Sequence, residues 1–120
     1  MGIKSLSEDV ALVDLPCDGP RRADVLKAVN DVVSDKSESN IIMDFLGVEI
    51  INSWNISNLL ILQSLLQESG HQLVFFNVGT VAKCIFVVAG LTEVFTFAND
   101  RSAALEAVSK ASPSLNTPTQ

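Results

Sequence analysis

Tyrosine is absent from this chain of 120 residues, and the other side chains that most often carry chemistry are nearly so: one histidine, one tryptophan and two cysteines. His71 has no second histidine to work with, and it follows a glycine that ends a helix, so it reads as a solvent-facing loop residue and not as a catalytic base. Cys17 and Cys84 have neither CxxC spacing nor a histidine cluster, which makes them reduced structural thiols in preference to a disulfide or a metal site. No glycine-rich phosphate loop of the Walker or dinucleotide type occurs, and no carboxylate pair stands at a recognisable spacing. The expectation is a protein that is not an enzyme and holds no metal and no cofactor. Basic residues are also scarce, eight against fourteen acidic, for a net charge of -6. They are scattered, and a phosphate backbone needs them clustered, so direct nucleic-acid binding is not expected. The longest apolar runs fall far short of the ~20 residues that span a bilayer. The start Met1-Gly-Ile-Lys4 carries no apolar core with a small-residue cleavage site. No membrane insertion is expected, and a soluble, cytoplasmic protein is.

What is present is apolar. At 48% hydrophobic residues and four prolines the chain is no disordered polymer. Its length suits one domain, taken as residues 1–110, followed by a flexible tail at 111–120 with little to bury. Val10 to Leu15 is a buried-strand run stopped by Pro16, and Asp18-Gly-Pro20 is turn chemistry. From Arg21 to about Val33 apolar residues recur at helical spacing, with Pro20 suited to the first turn. Ser34 to Ser39 is a polar loop, and Ile41 to Phe45 reads as a central strand. Asn52 or Ser53 can cap the next helix, which Ser69-Gly70 closes. Gln72 to Val78 is a strand rich in β-branched and aromatic residues. Gly79-Thr80 opens a third helix with Val81, Cys84, Ile85 and Val88 as its inward stripe and Gly90 at its end. Val94 to Phe97 is a last strand, and Asn99-Asp100 caps a final helix to Ser109 with Ala104, Leu105 and Val108 inward. Strands separated by helices require crossovers, hence an α/β fold: a mostly parallel core sheet of about four to five strands with about four helices packed on it.

The run from Asn40 to Asn55, with Asp44-Phe-Leu-Gly-Val48 ending the central strand and Asn52-Ser53-Trp54-Asn55 opening the second helix, resembles the signature of STAS domains, the anti-sigma-factor antagonist family. Gly70 to Val78 is similar to the family's Gly-x-x-Leu strand, and Val81 to Leu91 to its third helix with the closing Gly-Leu. The pair of leading strands usual in the family is not visible, and its Gly-Glu-Leu-Asp-type turn is replaced by Leu15-Pro-Cys-Asp18. The resemblance implies a protein-binding regulator that docks on a kinase-type anti-sigma factor and frees a sigma factor. It also implies a switch, phosphorylation of the second serine of an Asp-Ser-Ser-Gly tetrad. That serine aligns with Trp54, and an indole accepts no phosphoryl group.

The resemblance places Asp44 in the acidic surface around the phosphoacceptor; read on its own, Asp44 is equally a carboxylate capping a loop. Ser53 matches the family's first serine, where the helix dipole would favour an added phosphate, or it is a plain cap. On the second helix, 100° per residue gathers Ile56, Leu59, Leu60 and Leu66 on one arc and sends Trp54, Asn58, Ile61 and Leu65 up the far side. Gln63 falls awkwardly inside the inward arc. An exposed stripe anchored by Trp is what a binding hot spot looks like, unless another element of the chain covers it. The candidate partner-binding residues are therefore Asp44, Asn52, Ser53, Trp54, Asn58, Ile61 and Leu65. Two alternatives stand beside the anti-sigma partner: a scaffold that forms a homodimer or joins a larger assembly, and a nucleotide-binding regulator with phosphate at Gly79-Thr80.

Overall fold

A computed structural model describes residues 3–35 and 39–111, with side chains to residue 109. The apolar runs become strands because a segment without polar alternation can be satisfied only by burial on both faces. Val10–Asp14 (β2), Asn40–Asp44 (β3), Leu73–Phe76 (β4) and Thr96–Ala98 (β5) pair in parallel. Ile3–Ser5 (β1) joins the free edge of β2 antiparallel, Ile3 opposite Val13. β1 is the leading strand not visible in the sequence: a three-residue edge strand with one apolar side chain has no alternation to detect. The expected strand at Val94 to Phe97 starts two residues later, at Thr96, and ends at Ala98, and Val94 belongs to the turn before it.

Strand order across the sheet is the order of the sequence, β1-β2-β3-β4-β5. Parallel crossovers are right-handed almost without exception. A sheet that always advances in one direction therefore puts every crossover helix on the same face. Gly19–Asp35 (α1), Ser53–Glu68 (α2) and Thr80–Val88 (α3) all pack on the face that carries Val13, Met43 and Phe75. That core includes a phenylalanine cluster in which Phe75 lies 4.7 Å from Phe45 and 4.8 Å from Phe95, between ring centroids. The opposite face, with Leu12, Ile42, Val74 and Phe76, is covered by Arg101–Ala111 (α4) through Ala104 and Val108. Ala111 thus closes a helix, and the rest of the expected tail lies outside the described residues.

The second helix runs between α1 and the segment after α3. Asn30 Nδ2 of α1 donates to the Asn58 carbonyl on one flank, at 3.1 Å, and Gln63 Nε2 donates to the Val94 carbonyl on the other, at 2.8 Å. The inward row is Asn55, Leu59, Leu62 and Leu66, with Ile56, Leu60 and Leu65 half-buried beside it. Gln63 is tolerated near the core because its amide finds that carbonyl. α2 and α3 end alike: Gly70 and Gly90 take φ of +77° and +74°, and the following amides, of His71 and Leu91, return to the carbonyls of Leu66 and Phe86.

α3 corrects the expected stripe. Ala82 and Phe86 face the core and Ile85 is half-buried, whereas Val81, Cys84 and Val88 face solvent. Phe86 fills the aromatic cluster, and seating that ring rotates the aliphatic stripe outward. Cys17 is exposed as well, so neither thiol packs in the core as a structural residue would.

Candidate functional site

The parallel strands all point their carboxyl ends at one rim, and the loops that leave it lead into the amino ends of the helices. Asp44 sits there, half-buried, with Oδ1 accepting from the Leu46 amide at 2.9 Å and from Asn77 Nδ2 at 3.1 Å. Asn77 follows β4 with a φ of +58°, a conformation asparagine tolerates better than most side chains. The geometry of Asp44 is that of a carboxylate that caps a loop and braces the next strand end.

After Asp44 the chain winds to α2 without regular structure, and its side chains divide strictly. Phe45, Val48 and Ile51 are buried; Leu46 and Ile50 are 76% and 64% exposed. Leu46 and Ile50, with Glu49 from the same loop and Thr80 and Val81 of α3, line an open depression of ≈ 400 Å³. These exposed aliphatics belong to the same rim and escape sequence reading, because an apolar residue in a loop has no periodicity to show which way it points.

Asn52 is the cap of α2. Its side chain accepts from the Asn55 amide at 2.8 Å, and Asn55 Oδ1 accepts from the Asn52 amide at 3.2 Å, a reciprocal pair. Ser53 is exposed and already inside the helix, so the cap it was expected to share belongs to Asn52 alone. Trp54 and Ile61 are 47% and 50% exposed and do lie on the outer face. Asn58 and Leu65 do not line up with them in the open. Asn58 is half-buried, accepting from Asn30 and donating Nδ2 to the Trp54 carbonyl at 2.9 Å, and Leu65 packs against the core. The expected line of four therefore reduces to two exposed anchors, because Asn58 is met by Asn30 of α1 and Leu65 packs against the core.

The sequence reading also missed Arg22, a buried guanidinium of α1 at 5% exposure. Nε donates to the Pro16 carbonyl, Nη2 to that of Cys17, and Nη1 to the Ile50 carbonyl at 3.0 Å and to Asn55 Oδ1 at 3.3 Å. The signal was present, since Arg22 stands four, seven and eleven residues before Leu26, Val29 and Val33 on the buried row of α1.

Among the described residues no three or more of His, Cys, Asp and Glu are grouped as a metal ion would need, and no helix is long and apolar enough to cross a membrane. In open parallel sheets, ligands gather at the strand rim in a crevice formed where strand order reverses. This strand order never reverses. His71 is half-buried behind Gly70 and not fully solvent-facing.

No family model and no curated protein matches the chain. Its similarity is to solved structures. RsbS of Moorella thermoacetica, in a variant form, superposes with a TM-score of 0.76 at 12% identity over 90% of this chain and 93% of its own. A Thermotoga maritima protein described as a candidate anti-sigma factor antagonist gives 0.75 at 16%, over 88% and 92%. The anti-sigma factor antagonist SpoIIAA of Bacillus, in its unphosphorylated form, gives 0.74 at 14%, over 90% and 95%. The chain has the STAS fold.

Proposed function

We propose that this chain is a protein-binding regulator that docks on a kinase-type anti-sigma factor, through the rim where the β3–α2 loop meets α2. The observation that carries the reading is the exposed apolar group at that rim: Leu46 and Ile50 on the loop and Trp54 on the first turn of the helix, with Ile61 two turns further up. Exposed aromatic and aliphatic anchors close together are the usual energetic centre of a protein interface. Asp44, Asn52 and Ser53 give the rim its polar border, while Asn58 and Leu65 support the helix from its flank. In the resemblance to STAS domains, Trp54 takes the place of the phosphoacceptor, so docking here is not switched off at that position. The test is titration of the purified protein into the organism's own anti-sigma kinases with ATP present. Saturable binding supports the reading, and no binding to any of them refutes it.

A second reading has its own observation. Val81, Val87 and Val88 are exposed together on α3, an apolar strip that a second copy of the chain could cover as a homodimer or within a larger assembly. Sedimentation at rising protein concentration decides it: a mass that stays monomeric at all concentrations removes this reading.

A further inference from the structure

Arg22 presents a problem that the docking reading leaves unsolved. A buried cation is costly unless it is neutralised or fully hydrogen-bonded. Its four acceptors are uncharged: three backbone carbonyls and the side-chain amide of Asn55. They come from three separate places, the β2–α1 turn at Pro16 and Cys17, the β3–α2 loop at Ile50, and the first turn of α2 at Asn55. Asn55 Oδ1 is the same atom that accepts from the Asn52 amide, so the guanidinium is joined to the helix cap itself. The planar fork of arginine spans such a set, and the point charge of lysine does not.

The segment held in this way has no regular structure between Phe45 and Asn52, yet it presents Leu46 and Ile50 outward and Ile51 inward. Ile50 is fixed at its carbonyl by Arg22. We propose that Arg22 is the positioning residue of the docking surface. It touches no partner, and it fixes the β3–α2 loop and the start of α2 in the one arrangement that presents Ile50 and Trp54 together. The consequence for binding rests on the docking reading above; the holding of the loop does not.

The experiment is amide hydrogen exchange read by NMR on the full chain and its Arg22→Gln and Arg22→Lys variants. Val48, Asn52 and Asn55 report the loop and cap, and Ile42 and Val74 report the sheet. Both variants are expected to speed exchange at the three loop amides by about tenfold or more while the sheet amides keep their rates. Affinity for an anti-sigma kinase that binds the wild type should fall with them. Equal acceleration in the sheet, unchanged loop rates, or a loosened loop with full affinity would each overturn the proposal. Should neither variant fold, the wild-type Nε–H of Arg22 decides. Protection, relative to its own unprotected rate, equal to that of the Asn52 and Asn55 amides supports a shared opening, and protection equal to that of the sheet, or none, refutes it. A wild type that binds no anti-sigma kinase would refute docking and leave the exchange result standing.

Discussion

Trp54 and Ile61 are large, apolar and half-exposed, and each can be removed without opening the core. Trp54→Ala and Ile61→Asp should therefore weaken partner binding or self-association by at least about tenfold, roughly 1.4 kcal/mol, and leave the thermal midpoint nearly unchanged. If both variants unfold the domain while the folded remainder binds normally, the surface lies elsewhere. Incubation with anti-sigma kinases and ATP, followed by peptide mapping, should find no phosphate at position 54; stoichiometric phosphate on Ser53 would mean the acceptor has moved by one residue. The outward direction of Trp54 and Ile61 is legible from helical spacing alone. That of Asn58 and Leu65 is not, because a single helix drawn in projection does not know what lies against it. Arg22 was hidden for another reason: a charged residue on an apolar row reads as an interruption of the row, not as a member of it.

Among the elements, α2 owes its start to the reciprocal pair of Asn52 and Asn55. Asn52→Ala removes the acceptor for the Asn55 amide and should cost about 1 kcal/mol, seen as a fall of roughly 4 °C in the thermal midpoint, with Asn52→Ser restoring most of it. α3 supplies the sharpest contrast between what spacing implies and what packing decides. Its nine residues are apolar on every side but one, so periodicity alone cannot choose the inner face, and the valine stripe was as good a candidate as the true one. The aromatic cluster chooses. Phe86→Ala should cost about 3–5 kcal/mol in chemical denaturation, whereas Val88→Lys, at a position 87% exposed, should change stability by about 0.5 kcal/mol or less. A large loss from the valine change would mean that α3 is covered in solution, as the second functional reading requires.

For the whole molecule, the alternation of strands and helices was enough to fix the class, the parallel sheet and the approximate element count; the STAS fold was legible only through the resemblance of residues 40–55 and 70–91, and the superposed structures show it. The edge strand β1 was not legible, since so short a strand is defined by the neighbour it borders and not by its own residues. Nor was the unequal clothing of the two faces, three helices on one and α4 on the other, because it depends on strand order, which local pattern does not encode. The inequality makes a prediction. Ending the chain after Asp100 removes Ala104 and Val108 and bares Leu12, Ile42, Val74 and Phe76, so the shortened protein should bind a hydrophobic dye or aggregate. A soluble, cooperatively melting product of the first truncation would show that α4 is dispensable cover.

The order of the strands also sets a timetable. Each strand pairs with the one made just before it, so a chain leaving the ribosome can add β3 to β2 and β4 to β3 as they appear, and its first three helices arrive in time to close one side. The other side has no such schedule. Its cover is the last element made, after all five strands, so one greasy side of the sheet depends on the final stretch of synthesis and the other does not.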